Sequence, residues 1–170
     1  MTSTDTPPGL ARFNALAEHT ARAALHEMCA STAWAGHLLA HRPYATADDL
    51  YAAGDTAMAG LTAEDMAEAM AGHPPIGRPT PGDPVSAREQ RGMAGASAEL
   101  RAELLELNLA YQDRFGHVFL ICATGKTAAQ MRDAVRERIS HTPEREWEIV
   151  RTELGKINRI RLARLVEGDA

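Results

Sequence analysis

The apolar positions of this chain recur mostly three or four residues apart, the period of a helix with one buried face. Between Phe13 and Met28 the residues Leu16, Ala17, Ala21, Ala24, Leu25 and Met28 share such a face, so the stretch is expected to form one amphipathic helix. Ser31 can cap a second helix through Trp34, Leu38 and Leu39, and Arg42-Pro43 ends it, because the residue before a proline avoids α geometry. Thr46-Ala47-Asp48-Asp49 and Thr62-Ala63-Glu64-Asp65 each set a hydroxyl three residues ahead of an acid, the pattern that satisfies orphan N–H groups at a helix start. Two short helices, over about 47–58 and about 63–71, are expected to follow them.

The periodicity stops between Gly72 and Gly92. Gly72 serves as a helix stop, and the prolines after His73 fix φ while the glycines relax it, so the first half of this stretch reads as a tight surface loop. A stiff loop carrying one histidine, followed by Ser86, Glu89 and Gln90 at a helix start, is where chemistry is expected. One long helix is expected from Ser86 to Tyr111, with Met93, Leu100, Leu104, Leu105 and Leu107 on its buried side. Gly92 and Gly95 weaken it by roughly 1 kcal/mol each relative to Ala, which suggests close approach of another backbone or a ligand.

Phe115 to Cys122 is the one β-like run, and without a second strand it reads as an extended connector. A helix resumes at Thr127 and runs through Val135 to Ile139. Thr142-Pro143 then gives an N-cap with proline at the first helical position and launches the last helix through Trp147, Val150, Leu154, Ile157, Ile160, Leu162 and Leu165. The expected fold is all-α: a compact single-domain bundle of about seven or eight helices with one short extended connector. Residues 1–9 are expected to be a flexible tail and 10–167 the helical domain.

At 170 residues the chain is large enough for a core without disulfides or metal. A net charge of −5, with Lys and Arg scattered among acids, offers no basic face for nucleic acid. Cys29 and Cys122 lack CxxC spacing and are expected to be buried and reduced. There is no apolar run near the roughly 20 residues of a membrane span, no signal-peptide pattern and no peroxisomal Ser-Lys-Leu end, so the expected compartment is the cytoplasm.

Seven histidines invite a metal reading, and His37 and His41 stand four apart. Leu38, Leu39 and Ala40 lie between them, so the glutamate of a metalloprotease helix is missing and a solvent-facing pair is the expectation. Gly125-Lys126-Thr127 resembles the end of a phosphate-binding loop, but Leu120 stands where its first glycine belongs. Gly125 is instead expected to be a turn. His73 is either a functional group or a loop residue bonded to carbonyls at a helix end. Ser86 and Glu89 have two readings as well: site residues, or a capping box in which Glu89 reaches back to the Ser86 N–H.

His73-Pro74, Ser86-x-x-Glu89-Gln90-x-Gly92, Asn108-x-x-Tyr111-x-x-Arg114-Phe115-Gly116 and Phe119-Leu120-Ile121-Cys122-Ala123-x-Gly125-Lys126 occur in this order. With Cys29-x-Ser31-x-x-Trp34-Ala35, Arg42-Pro43-Tyr44, and Glu153-Leu154 through Arg161-Leu162, they cover nearly the whole chain. This string resembles the OHCU decarboxylase family of purine catabolism, OHCU being 2-oxo-4-hydroxy-4-carboxy-5-ureidoimidazoline. The resemblance implies an all-helical carboxy-lyase that needs no cofactor and no metal and converts OHCU to (S)-allantoin. It makes His73 the catalytic acid/base, and Glu89 is expected to orient His73 or to fix the substrate hydroxyl. Pro74, Ser86, Ala87, Arg88, Glu89 and Gln90 would line the substrate site, and Phe119, Leu120, Ile121, Cys122 and Ala123 would do so largely through backbone groups. Pro75 departs from relatives that carry a polar residue there. Such relatives are often dimers, which leaves a homodimer open. Two rival functions are a non-catalytic helical module binding a partner helix, and a decarboxylase or hydrolase of a related ureido compound.

Overall fold

A computed structural model describes residues 7–71, 91–93 and 95–168. The described residues form eight α-helices and no strand: α1 (Pro8–Ala15), α2 (Glu18–Met28), α3 (Thr32–Ala40), α4 (Ala47–Ala59), α5 (Ala63–Ala71), α6 (Ala98–Phe115), α7 (Ala128–Arg138) and α8 (Pro143–Glu167), with a 3₁₀ turn at Arg91–Met93. The fold is all-α, as expected. The chain divides into two compact units, Met1–Gly72 with Gly155–Ala170, and His73–Leu154. Helix α8 therefore gives its first half to the second unit and its second half to the first.

In the first unit, α2 packs on α3 and α3 on α4. The cap signals work as their sequences require: the Ser31 hydroxyl accepts from the Trp34 N–H at 3.2 Å, and Thr46 accepts from Asp49 N–H at 3.1 Å. Thr62 and Asp65 bond reciprocally, at 3.1 and 3.0 Å. The expected helix from Phe13 to Met28 is instead two, broken where Leu16 and Ala17 take extended ψ angles of 144° and 148°. Distant groups stabilise the break. Arg42 donates to the carbonyls of Phe13 and Leu16 at 2.8 and 2.9 Å, satisfying acceptors that a helix end would orphan. Asn14 exchanges two 2.9 Å hydrogen bonds with the Tyr44 main chain, and the Tyr44 hydroxyl donates to Leu38 O at 2.6 Å. Burial pushes the Tyr44 phenol up to about 12, so it stays a neutral donor.

Helix α1 begins at Pro8, inside the stretch expected to be a tail. A Cβ on Gly9 would lie 2.0 Å from Leu165 O, so only glycine lets α1 meet α8 there. Cys29 and Cys122 are buried and form no disulfide, and burial raises the Cys29 thiol despite hydrogen bonds from Ser31 and Asn158. His41 Nδ1 lies 2.8 Å from His37 O, and the two rings are 4.5 Å apart at the end of α3.

In the second unit, α6 packs on α7. The helix expected from Ser86 does not run unbroken to Tyr111. Residues 86–90 lie outside the described residues, and α6 starts only at Ala98 because Ser97, extended at φ −65° and ψ 158°, accepts from Leu100 N–H. Thr127 and Gln130 form a full capping box for α7, and Thr142 accepts from Arg145 N–H at the start of α8. The two glycines before α6 behave differently. A Cβ on Gly92 would come 1.8 Å from Lys126 O, whereas one on Gly95 would meet nothing within 4 Å.

Gly92→Ala should therefore destabilise the protein by about 1–3 kcal/mol, while Gly95→Ala should fall within about 0.5 kcal/mol of neutral or stabilise slightly. Urea titration of both variants reads the contrast. Equal effects would mean that the approach of the Lys126 main chain does not depend on Gly92.

Candidate active site

Of the residues expected to form the site, His73, Pro74, Ser86, Ala87, Arg88, Glu89 and Gln90 lie outside the described residues. Phe119 to Ala123 are described. Helix α6 ends at Gly116, whose φ of +80° is open to glycine and whose N–H bonds Gln112 O at 2.8 Å. The chain then runs without helix or strand from Val118 to Ala123 and turns at Gly125, φ +79°, a turn closed by Lys126 N–H to Ala123 O at 3.0 Å. Phe119, Ile121 and Ala123 join the core of the second unit with Leu104, Tyr111, Met131 and Val135. Leu120 and Cys122 are not part of that cluster, and they are buried too. With its side chains buried, the chemistry such a segment can offer is that of its peptide groups.

The segment is held by a polar cluster that sequence reading does not anticipate. Arg138, at the end of α7, donates from Nη1 to Leu120 O at 2.7 Å and from Nε to Glu146 Oε1 at 2.9 Å. Its Nη2 lies 2.8 Å from the same carboxylate oxygen, close in charge but without hydrogen-bonding geometry. Its guanidinium carbon sits 4.5 Å from the centre of the Phe119 ring, which Tyr111 meets edge-on at 5.3 Å. Tyr111 also donates its hydroxyl to Glu146 Oε1 at 2.5 Å, and His141 Nδ1 lies 3.0 Å from Oε2. Arg114 fixes His141 in turn by donating to its carbonyl at 3.0 Å.

Glu146 is 0% exposed. Burial alone would raise its carboxyl, but hydrogen bonds from Arg138, Tyr111 and His141, with the charge of Arg138, outweigh it and hold the group below its ordinary 4.5. The stabilisation this gives is complete above 4.5 and is lost as pH falls through the lowered folded value. The Tyr111 phenol moves the opposite way, raised by burial and by its bond to the carboxylate, and stays protonated. Among the described residues no three His, Cys, Asp or Glu side chains converge as a metal site would need.

A signal for the cluster exists in the spacing. Glu146 stands four before Val150 and eight before Leu154, both fully buried, and Arg138 stands three after Val135 and seven after Met131. Each extends an apolar stripe by one position, where a charged residue must be paired. Tyr111→Phe keeps the ring and removes one bond to the charged carboxylate, so stability in urea should fall by about 1.5–3 kcal/mol. A loss under about 0.5 kcal/mol would show that the carboxylate does not depend on the phenol.

A model of the OHCU decarboxylase family matches residues 14–163. The chain is similar to the uric acid degradation bifunctional protein TTL of Arabidopsis thaliana, 32% identical over 84% of this chain and 46% of that one. It thus spans about half the length of that relative. It is 27% identical to a 2-oxo-4-hydroxy-4-carboxy-5-ureidoimidazoline decarboxylase of Haloferax volcanii, over 72% of this chain and 74% of the relative. Among solved structures it resembles a crystal structure of OHCU decarboxylase in the presence of (S)-allantoin, with a TM-score of 0.74, 32% identity, and 85% and 96% of the two chains covered. A match from Asn14 to Ala163, together with the likeness to a solved OHCU decarboxylase at 32% identity, places the chain in the OHCU decarboxylase family.

Proposed function

We propose that this chain decarboxylates OHCU to (S)-allantoin in urate breakdown, without a cofactor. The observation that carries the reading is the likeness, at 32% identity and over 96% of its length, to an OHCU decarboxylase crystallised with (S)-allantoin. The 119–123 segment adds a physical reason. OHCU and allantoin are dense in amide N–H and C=O groups, and a buried run of main chain matches such groups by hydrogen bonds.

The chemistry needs little beyond positioning and one proton. When the bond to the carboxylate breaks, CO₂ leaves and its electron pair moves into the ring toward the adjacent C=N, whose nitrogen accepts charge and a proton. The resulting enol reverts to a carbonyl as a proton is delivered to the ring carbon bearing the ureido group. Delivery to one face gives one enantiomer. In this reading His73 is the acid/base, Glu89 orients it or fixes the substrate hydroxyl, and Gln90 with the 119–123 main chain holds the ureido and ring amides. Pro74 and the remaining residues from Ser86 to Arg88 complete the lining. A positioned acid/base contributes about 10²–10⁴-fold, roughly 3–5 kcal/mol, whereas enzymes lower barriers by at least about 8 kcal/mol. Main-chain hydrogen bonds and orientation therefore have to supply the remainder.

No helix among the described residues is long and apolar enough to cross a membrane, and the cytoplasm is the compartment that fits this reading. A homodimer also fits it. Leu109 on α6 is the one large apolar side chain that is strongly exposed among the described residues, at 54%, and a dimer contact there would cover it.

The test generates OHCU in situ from urate and follows its ultraviolet decay and the circular dichroism of the product. The protein should accelerate decay and yield one-handed allantoin; decay at the spontaneous rate would defeat the assignment. His73→Asn should lower kcat/KM by about 10²-fold or more with unchanged far-ultraviolet circular dichroism. Undiminished turnover in that variant would remove His73 from the mechanism.

A further inference from the structure

We infer that Arg138 is a positioning residue for catalysis: charged and pinned by Glu146, it fixes the Leu120–Ile121 peptide plane from which substrate is held. The inference rests on the reading that the 119–123 main chain lines the substrate site. Three observations, all within the second unit, converge on it. Arg138 holds the segment twice, through Leu120 O at 2.7 Å and by stacking at 4.5 Å over Phe119. Arg138 cannot turn away, because Glu146 takes its Nε and the ring of Tyr111 backs Phe119. Among the described residues the segment has no strand partner that would otherwise set the direction of its peptide groups.

The geometry of the peptide unit supplies the consequence. The Leu120–Ile121 bond is trans, so the Leu120 carbonyl and the Ile121 N–H point in opposite directions from one rigid plane. A guanidinium clamping the carbonyl therefore aims the Ile121 N–H away from Arg138. It also polarises the amide, since a carbonyl that accepts from a cation makes its own N–H a stronger donor. Without the clamp the plane can rotate about the flanking φ and ψ, and the donor is lost to substrate even with the fold intact.

The experiment replaces the pair by apolar groups of similar size, Arg138→Met with Glu146→Leu, because removing one partner alone would strand a buried charge. Amide hydrogen exchange of the ligand-free protein should be at least about tenfold faster over 119–123 in the double variant. Steady-state kinetics on OHCU should show kcat/KM lower by about 10–100-fold with KM raised. A merely structural role would reduce the active fraction, and so apparent kcat, while leaving KM alone. Arg138→Lys serves as a second variant should the first not fold: it keeps the charge opposite Glu146 but loses the planar fork, and should move both readouts the same way by less.

Unchanged exchange and unchanged KM in either folded variant would overturn the role of Arg138. Faster exchange at 119–123 with unchanged KM would also overturn it, since the clamp would then not serve substrate. Absence of OHCU turnover by the wild-type protein would instead defeat the functional reading, and with it the catalytic role built on it, while the exchange data would still decide whether the clamp exists.

Discussion

An ionised carboxylate enclosed by apolar groups is tolerated only if its charge is answered on the spot, and Glu146 sets that condition for the second unit. Its partners come from α6, α7 and the turn before α8, in the persons of Tyr111, Arg138 and His141. Through Arg138 the same charge reaches the Leu120 carbonyl. Four pieces of chain are thus fixed in direction as well as in distance. Apolar packing of Leu104, Met131 and Val135 brings them together but does not choose an orientation for a peptide group. Polar bonds do, and orientation is what the main-chain substrate site proposed at 119–123 requires.

The first unit solves a different problem by different means. Helices α1 and α2 meet at a break that exposes carbonyls, and Arg42, Asn14 and Tyr44 supply the missing partners. Gly9 lets main chain lie against main chain near Leu165. The Arg42-Pro43-Tyr44 string belongs to the pattern by which the family is recognised, yet here its hydrogen bonds are spent on holding a helix end. A residue that helps identify a family need not touch its substrate.

What sequence shows well is local. Ser31, Thr46, Thr62 and Thr142 act within three residues of themselves, and each cap is legible from spacing alone, while at Thr127 the helix start is legible but its capping box is not read. Gly125 as a turn is legible for the same reason, as is the tight approach at Gly92 though not at Gly95; the connector expected from Phe115 to Cys122 starts later, because Phe115 is the last residue of α6. The break at Leu16 was not legible, because the groups that stabilise it lie nearly thirty residues away. Nor was the late start of α6, where an unbroken apolar period from Met93 onward hid the Ser97 cap. Glu146 and Arg138 were passed over because a charged residue is read as solvated unless its place on a buried stripe is weighed first. Of the candidate site, the 119–123 segment is an expectation that rests on the family resemblance, while the contact from Arg138 that holds it is long-range and has no local signature.

The most direct measurement of this account is a carbon-13 nuclear magnetic resonance titration of the Glu146 carboxyl, with the amides of 119–123 followed in the same samples. The midpoint should lie below 4.5, with the Ile121 amide shifting at that same midpoint as Arg138 loses its counter-charge. A carboxyl that titrates above 4.5, or a segment indifferent to its titration, would contradict it.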